Sequence, residues 1–222
     1  MAGFVLCQDL TTGAGNLPIP GDQDTIEEWC GDWSQRWRVT DPATPEPAGS
    51  DGYYMTLDSQ CNNTGGRLKA DKIAGMGFGY AFLEKRQTIN LTGKQWFARI
   101  DPAMADSFVS FGAFFWFFDI NRTDGFAEAV IRQAGATPDV FGVINPYDPD
   151  VHQWVRFWHD EAADEVGIDV AAFCGSWTNI ATGTASLLPR AISNAQLYVS
   201  FEAYEPPTAY LAVGTINVAD YP

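Results

Sequence analysis

The chain has 222 residues, of which 14% are aromatic and 18% charged, and its 13 basic and 28 acidic residues give a net charge of −15. So many aromatic and so few charged residues are typical of a packed globular protein and exclude an intrinsically disordered chain. The acidic balance repels phosphate backbones and anionic bilayers, which argues against binding to nucleic acids or to membrane surfaces.

The sequence shows little sign of a signal peptide, a membrane span or a cysteine motif such as C-x-x-C. The N-terminus, Met1 to Asp9, has no basic residue before its short apolar run, which argues against a signal peptide. No apolar run approaches the ~20 residues of a membrane span, so we expect synthesis in the cytoplasm and no membrane insertion. The cysteines are far apart with no C-x-x-C pair, which predicts either buried thiols or one disulfide among the first three. They are Cys7, Cys30, Cys61 and Cys174.

The first hundred residues predict short strands between loops rich in glycine and proline. Residues 1–30 are a candidate N-terminal arm that carries a first strand. Within this arm Thr25, with Glu28 three residues later, predicts a single helical turn. Further strands are predicted at 33–40, 53–57, 67–70, 77–83, 87–91 and 95–100, the last two as a hairpin around Thr92 and Gly93.

The middle of the chain is the most apolar. The run from Ser107 to Ile120 predicts one central strand packed on both sides. Residues 153–180 predict a tight antiparallel meander of three strands, with Trp154 and Trp177 in the core and Trp158 on the outer side, opposite Phe157. Other strands are predicted at 126–133, 140–144, 196–204 and 209–218, the last with a bulge near Gly214.

These strands indicate a β-sandwich. About fourteen candidates recur roughly every ten residues without a linker or a repeat, which predicts one domain over residues 1–222. Five segments resemble concanavalin A-like (laminin-G-like) jelly-roll domains, namely Gln153-Trp-Val-Arg-Phe, Ile168-Asp-Val, Gly175-Ser-Trp-Thr, Leu197-Tyr-Val-Ser-Phe-Glu-Ala and Ala212-Val-Gly-Thr-Ile-Asn-Val. The resemblance implies an all-β jelly-roll sandwich of two antiparallel sheets. The acidic, Trp-rich chain is also similar to tail and other virion proteins of bacteriophages that infect actinobacteria.

Glycoside hydrolysis is one function that this fold hosts. It requires carboxylates at alternate strand positions, Glu-x-Asp-x-Glu, so that all of them enter one cleft. No Glu-x-Asp occurs in the chain, and the acidic residues between 160 and 165 read as a solvated turn. His152 and His159 lie outside any nucleophile-elbow motif. We therefore predict no catalytic residue and a protein that is not an enzyme, with a glycoside hydrolase as the least favoured interpretation.

Carbohydrate binding is a second function. Aromatic side chains near loops or on an outward register could stack on sugar rings, although the core is the alternative for most of them. The candidates are Trp33, Trp37, Tyr53, Tyr54, Tyr147 and Trp158. Calcium is conceivable at Asp119, Asn121 and Asp124, which resemble an EF-hand loop with Asp124 one place late, but a hairpin turn is favoured there. No other cofactor is expected.

The favoured interpretation combines both resemblances. We predict a non-enzymatic structural or adhesion component of a bacteriophage virion, a minor tail protein that binds host-surface carbohydrate. The alternatives are a capsid decoration protein and a free lectin-like module. The expected partners are other virion proteins, in a homo-oligomer or a larger assembly, and a host-surface glycan.

Overall fold

The computed structural model describes residues 4–6, 18–20, 23–27, 29, 35–39, 55–60, 67–72, 79–102, 107–173, 175–203, 211–214 and 216–222. These residues are mostly β-strand, with short 3₁₀ turns at Ala185–Leu187 and Ile192–Asn194. The strands are β1 (Phe4–Leu6), β2 (Pro18–Pro20), β3 (Gln23–Glu27), β4 (Trp37–Val39), β5 (Met55–Gln60), β6 (Arg67–Lys72), β7 (Gly79–Lys85), β8 (Lys94–Pro102), β9 (Ser107–Ala113), β10 (Trp116–Asn121), β11 (Phe126–Ile131), β12 (Val140–Ile144), β13 (Trp154–Asp160), β14 (Glu165–Ala171), β15 (Thr178–Thr184), β16 (Leu197–Ala203), β17 (Leu211–Val213) and β18 (Ile216–Asp220).

Two large antiparallel sheets form the fold. A seven-stranded sheet has the order β12-β11-β10-β9-β16-β7-β4, and a nine-stranded sheet has the order β15-β14-β13-β8-β17-β6-β5, with β18 beside β8 and β3 beside β18. Strands β1 and β2 form a separate pair. The predicted all-β sandwich of two antiparallel sheets is therefore confirmed. That residues 1–222 form one domain, with 1–30 as an arm, stays a prediction.

Large aromatic side chains fill the space between the sheets. Trp96 of β8 and Phe157 of β13 stack with their ring centroids 4.2 Å apart. Trp116 and Phe111, from the opposite sheet, meet Phe157 edge-on at 5.6 and 5.7 Å. All four side chains are fully buried. Burying such rings contributes most of the driving force for packing the two sheets, and the edge-on contacts add to it.

The apolar run at 107–120 is a hairpin rather than one strand, so that prediction is wrong. Strands β9 and β10 turn sharply at Phe114 and Phe115 and pair along their full length. A Cβ on Gly112 would lie 2.5 Å from the Cα of Phe117, so this close approach requires glycine. The run reads as continuous because both strands place apolar residues on the core side and aromatic residues near the turn on the other side.

Two other local predictions are wrong. Thr25 lies in β3 and not in a helical turn, because β3 pairs with β18 and the sheet supplies its backbone hydrogen bonds. The predicted hairpin partner at 87–91 contributes only a single bridge, between Ile89 and Ala195, so β8 instead pairs with β13, β17 and β18.

The meander at residues 153–180 is confirmed as β13, β14 and β15. Phe157 lies in the main core and Trp158 on the opposite side of β13, as predicted. Trp154 and Trp177, however, belong to a small cluster with Phe97 outside the main core. They share the outer side of the sheet with Trp158, because residues 154, 156 and 158 alternate with the core residues of β13.

Candidate functional site

The seven-stranded sheet has one face that points away from the core, called here the open face. Its side chains alternate with buried core residues along each strand. The strand register places Glu128, Asp119, Ser110, Ser200 and Phe82 side by side in one row across five neighbouring strands. Polar and aromatic groups from distant parts of the chain therefore meet on one surface.

Four rings form an aromatic cluster on the open face, made of Phe82, Phe114, Phe117 and Tyr198. Phe82 and Phe114 both stack on Tyr198, with centroids 5.4 and 5.2 Å away. Phe117 meets Tyr198 at 6.1 Å in an edge-on arrangement. Tyr198 is buried beneath the others, whereas Phe114 is 39% exposed. Phe114 therefore presents ring surface to solvent, and Tyr198 supports it from below.

A chain of hydroxyl groups leads from this cluster to a carboxylate. The Tyr198 hydroxyl lies 2.8 Å from Ser110 Oγ, and Ser110 lies directly opposite Asp119 on the neighbouring strand, where its side chain lowers the pKa of the carboxyl by hydrogen bonding. A proton order that satisfies both contacts has Tyr198 donating to Ser110 and Ser110 donating to Asp119. Asp119 Oδ1 is buried and has no hydrogen-bond partner within the described part of the chain. Such an atom is an acceptor that lacks a donor.

Burial raises the pKa of Asp119 from 3.8 to about 6. The hydrogen bond from Ser110 and the charge of Arg132 lower this pKa, but the nearby carboxylates of Glu128 and Glu202 raise it further. The pKa of Tyr198 is raised as well, first by its burial and then by the charge of Asp119. Carboxylates whose pKa is raised in this way cluster at functional sites.

The outer side of the nine-stranded sheet has a buried carboxylate, Asp169, whose oxygens are both hydrogen-bonded. Asp169 accepts from Arg156 Nε at 2.8 Å, from Trp158 Nε1 at 3.0 Å and from Asn179 Nδ2 at 2.8 Å. Arg156 also donates to Gln95 at 3.1 Å and lies 4.8 Å from the ring centroid of Trp177. Both oxygens of Asp169 are occupied, so this network stabilises the nine-stranded sheet and has no acceptor left for a ligand.

The structure buries three of the predicted sugar-contact residues, so their assignment to exposed positions is wrong. Trp37 is 1% exposed and lies in the main core. Tyr147 is 6% exposed, and its hydroxyl donates to the His152 carbonyl at 3.3 Å. Trp158 is 7% exposed and stacks on Tyr221 at 5.0 Å, in addition to its bond to Asp169. None of the three belongs to the open-face cluster.

The other three predicted sugar-contact residues, Trp33, Tyr53 and Tyr54, lie outside the described residues, and sugar contact there stays a prediction. The cysteines at 7, 30, 61 and 174 also lie outside them.

The calcium candidates form a turn. Asn121 Nδ2 donates to Asp124 Oδ2 at 2.9 Å, and the Asp124 amide donates to Asn121 Oδ1 at 3.0 Å, which closes the turn between β10 and β11. This is the favoured hairpin geometry, and it occupies two of the three side chains. Asp119 belongs to the open-face row. Within the described residues no group of three or more His, Cys, Asp or Glu side chains is placed to hold a metal ion. Calcium binding stays a prediction.

Sequence reasoning missed most of the open face. Of its central residues only Asp119 was singled out, and as a calcium ligand. A signal was present in β16, where Tyr198, Ser200 and Glu202 alternate with the core residues. The same period-two pattern in β10 places Asp119 and Asn121 between buried apolar residues. Polar groups at alternate positions on several strands predict a common polar face once the strand order is known.

No protein-family model and no curated protein sequence matches the chain. Solved structures do match it in fold. A β-1,3-1,4-glucanase (lichenase) derived from a mouse hindgut metagenome aligns with a TM-score of 0.54 at 13% identity, over 90% of this chain and 99% of that chain. The Bacillus licheniformis β-glucanase aligns with a TM-score of 0.53 at 10% identity, over 90% and 97%. The VIP36 exoplasmic/lumenal domain, in a form bound to Ca²⁺ and Man3GlcNAc, aligns with a TM-score of 0.51 at 5% identity, over 76% and 83%.

These similarities establish the class of fold. Two antiparallel sheets in this arrangement, shared with two β-glucanases and the VIP36 domain, are those of the concanavalin A-like jelly roll. The chain has this fold, as its sequence resemblance implied. No helix among the described residues is long and apolar enough to cross a membrane.

Proposed function

We propose that the protein is a non-enzymatic carbohydrate-binding β-sandwich that holds a glycan on its open face. The observation that carries the proposal is the unpartnered, buried Asp119 Oδ1 beside an aromatic cluster with an exposed ring, Phe114. Sugars combine apolar C–H faces with hydroxyl donors, so a ring platform next to a free acceptor matches both of their properties.

Two further observations support carbohydrate as the ligand class. Structures of the same fold with TM-scores above 0.5 include a domain bound to a mannose-containing glycan and two enzymes named for β-glucan. The net charge of −15 also favours a neutral or locally complementary ligand over a nucleic acid.

The biological setting of this proposal comes from the sequence. The resemblance to virion proteins of actinobacteriophages supports a minor tail protein, exposed on the virion and directed at a host-surface glycan. A capsid decoration protein and a free lectin-like module are the alternatives. Cofractionation of the protein with purified particles supports the virion setting, and a strict monomer found free of particles contradicts it.

Glycan binding is tested on a glycan array with the wild-type protein and two single-ring variants. Phe114→Ala removes the exposed ring of the aromatic cluster, and we expect it to abolish most binding while leaving the melting temperature nearly unchanged. Phe173→Ala is the matched control, since Phe173 is also exposed, at 64%, but follows β14 of the other sheet. Equal loss of binding in both variants contradicts the proposed site, and no binding by the wild type contradicts the function.

Glycoside hydrolysis is the second candidate, and one observation favours it. Asp119 and Glu128 lie directly opposite each other on β10 and β11, so their Cβ atoms are about 5 Å apart. A carboxyl with a raised pKa near a second carboxylate is the arrangement of a retaining glycosidase. The absence of Glu-x-Asp-x-Glu from the sequence argues for binding instead. Release of reducing sugar from a polysaccharide panel, lost in Asp119→Asn, would establish the enzyme and overturn the non-enzymatic proposal.

A further inference from the structure

A pocket of about 460 Å³ opens at the end of the open face where β9 turns into β10. It is lined by Glu84, Phe114, Phe115, Pro189, Arg190 and Gln196. Phe114 belongs both to this pocket and to the aromatic cluster, so a ligand on the cluster reaches the pocket without a gap. The volume falls within the range of small-molecule sites.

Arg190 gives this pocket its chemical character. The side chain is exposed, and in the described part of the chain it has no ion pair and no hydrogen bond. The acidic residue of the pocket, Glu84, is instead paired with Arg38. Among the residues that line the pocket, the charge without a paired partner is therefore the guanidinium of Arg190. The chain as a whole has 28 acidic residues against 13 basic ones, so this is a local reversal of charge.

Gln196 adds a second polar group to the pocket. Its side-chain amide donates to the carbonyl of Lys85, which holds the side chain at the start of β16. This bond uses the nitrogen and leaves Oε1 as an acceptor for a hydroxyl group. Phe114 supplies an apolar wall beside it. A cation, an amide acceptor and a ring are therefore available around one small volume.

The other end of the open face has the opposite charge. There the charges of Glu128 and Glu202 both raise the pKa of Asp119. Arg132, the cation that acts on Asp119, lies toward the β9–β10 turn, 5.6 Å from the ring centroid of Phe117, and is paired with Asp139 at 2.5 Å. An anionic group is therefore repelled at the Asp119 end and attracted at the Arg190 end. This difference in charge between the two ends sets the orientation of an acidic glycan across the aromatic cluster, with its anionic group toward Arg190.

We propose that the pocket at Arg190 is a subsite for the carboxylate of an acidic sugar unit in the bound glycan. The planar guanidinium offers two parallel N–H groups to a carboxylate, while Phe114 contacts the sugar ring and Gln196 accepts from a hydroxyl. This inference rests on the proposed glycan binding and adds the substrate class, a uronic-acid-type unit oriented with its carboxylate away from Asp119.

The test starts from glycan-array hits of the wild-type protein. Each acidic hit is compared in solution with its carboxyl-reduced counterpart, the same oligosaccharide in which the carboxylate has become a neutral alcohol. We expect the acidic form to bind about tenfold or more tightly, as for loss of a charge-assisted hydrogen-bond pair. Arg190→Ala should remove this difference and leave binding of the carboxyl-reduced form unchanged, and Arg190→Lys should restore part of it.

Lys94→Ala is the control for net charge, because Lys94 is exposed and paired with Asp220 on the nine-stranded sheet. It should keep the preference for the acidic form. A wild-type protein that binds only neutral glycans, or an acidic preference that survives Arg190→Ala, overturns the Arg190 subsite and leaves the proposed function standing. A wild-type protein that binds no glycan overturns the proposed function itself.

Discussion

Asp119→Asn should stabilise the protein at neutral pH, which is unusual for a substitution of a half-buried polar residue. Asparagine has nearly the same shape and can still accept from Ser110, but it cannot ionise. Because burial raises the pKa of Asp119 in the folded state, the stability linked to this group is full below pH 3.8 and is lost as the pH rises through about 6. At neutral pH the wild-type protein therefore holds a carboxylate at a net cost, and the variant does not.

The magnitude follows from the two pKa values. The carboxyl changes from 3.8 in the unfolded chain to about 6 in the folded protein, and each pKa unit corresponds to about 1.4 kcal/mol. Ionisation of Asp119 should therefore cost the folded state on the order of 3 kcal/mol. Urea unfolding of wild type and variant at about pH 4 and about pH 7.5 measures it. The free energy of unfolding of the variant, relative to wild type, should rise by this amount between the two conditions.

Asp139→Asn is the matched control, because it should change the free energy of unfolding at neutral pH in the opposite direction. The amide of Gln133 and the side chain of Arg132 lower the pKa of Asp139, so its contribution to stability is present above the unfolded pKa of 3.8 and is lost as the pH falls. This variant should lose stability, relative to wild type, at neutral pH. A relative stability of Asp119→Asn that stays flat or falls with increasing pH refutes the account of Asp119.

Other substitutions test the nine-stranded sheet. Trp158→Ala should lower the free energy of unfolding by about 3–5 kcal/mol, because Trp158 is 7% exposed and hydrogen-bonded to Asp169. Urea denaturation measures this change, and a value below about 1 kcal/mol would contradict the burial of Trp158. Gly167→Ala should destabilise strongly in the same assay, since an added Cβ would overlap the Trp158 ring. His159 has a lowered pKa because it is buried, and its Nδ1 accepts from the Gly93 amide at 2.8 Å. Its contribution to stability should be full above pH 6.5 and decline below it, and His159→Gln should flatten that part of the pH profile of melting temperatures.

The sheet framework could be predicted because alternation is a local property of the chain. In β13 the apolar residue Phe157 and its neighbour Trp158 point to opposite sides, and the sequence pattern alone assigned them correctly. The burial of an outward-facing side chain could not be predicted from the same alternation. The outer side of β13 is itself covered, so Trp158 is buried in spite of its outward register. A single-strand pattern gives the direction of a side chain but not what lies above it.

The candidate site could not be predicted because it depends on pairing between distant segments. Tyr198 and Ser110, which share a hydrogen bond, are 88 residues apart in sequence. The apolar run at 107–120 also concealed its own turn, and with it the fact that Ser110 and Asp119 lie on adjacent strands. The sequence shows that both residues are polar, but only the order of β10, β9 and β16 brings them next to the ring of Tyr198.

Two carboxylates of the outer faces, buried Asp169 and half-buried Asp119, explain why the open face is the better candidate for binding. Asp169 is fully compensated by Arg156, Trp158 and Asn179, and removing it would leave a partly buried cation without its ion-pair partner. Asp119 has one hydroxyl donor, an unpartnered oxygen and two carboxylates nearby, so its charge destabilises the folded protein at neutral pH. A ligand that donates a hydroxyl group to Asp119 Oδ1 would offset this cost only when bound. Under the proposed function, the cost at Asp119 would be recovered as binding energy, as expected where stability and function compete for the same residue.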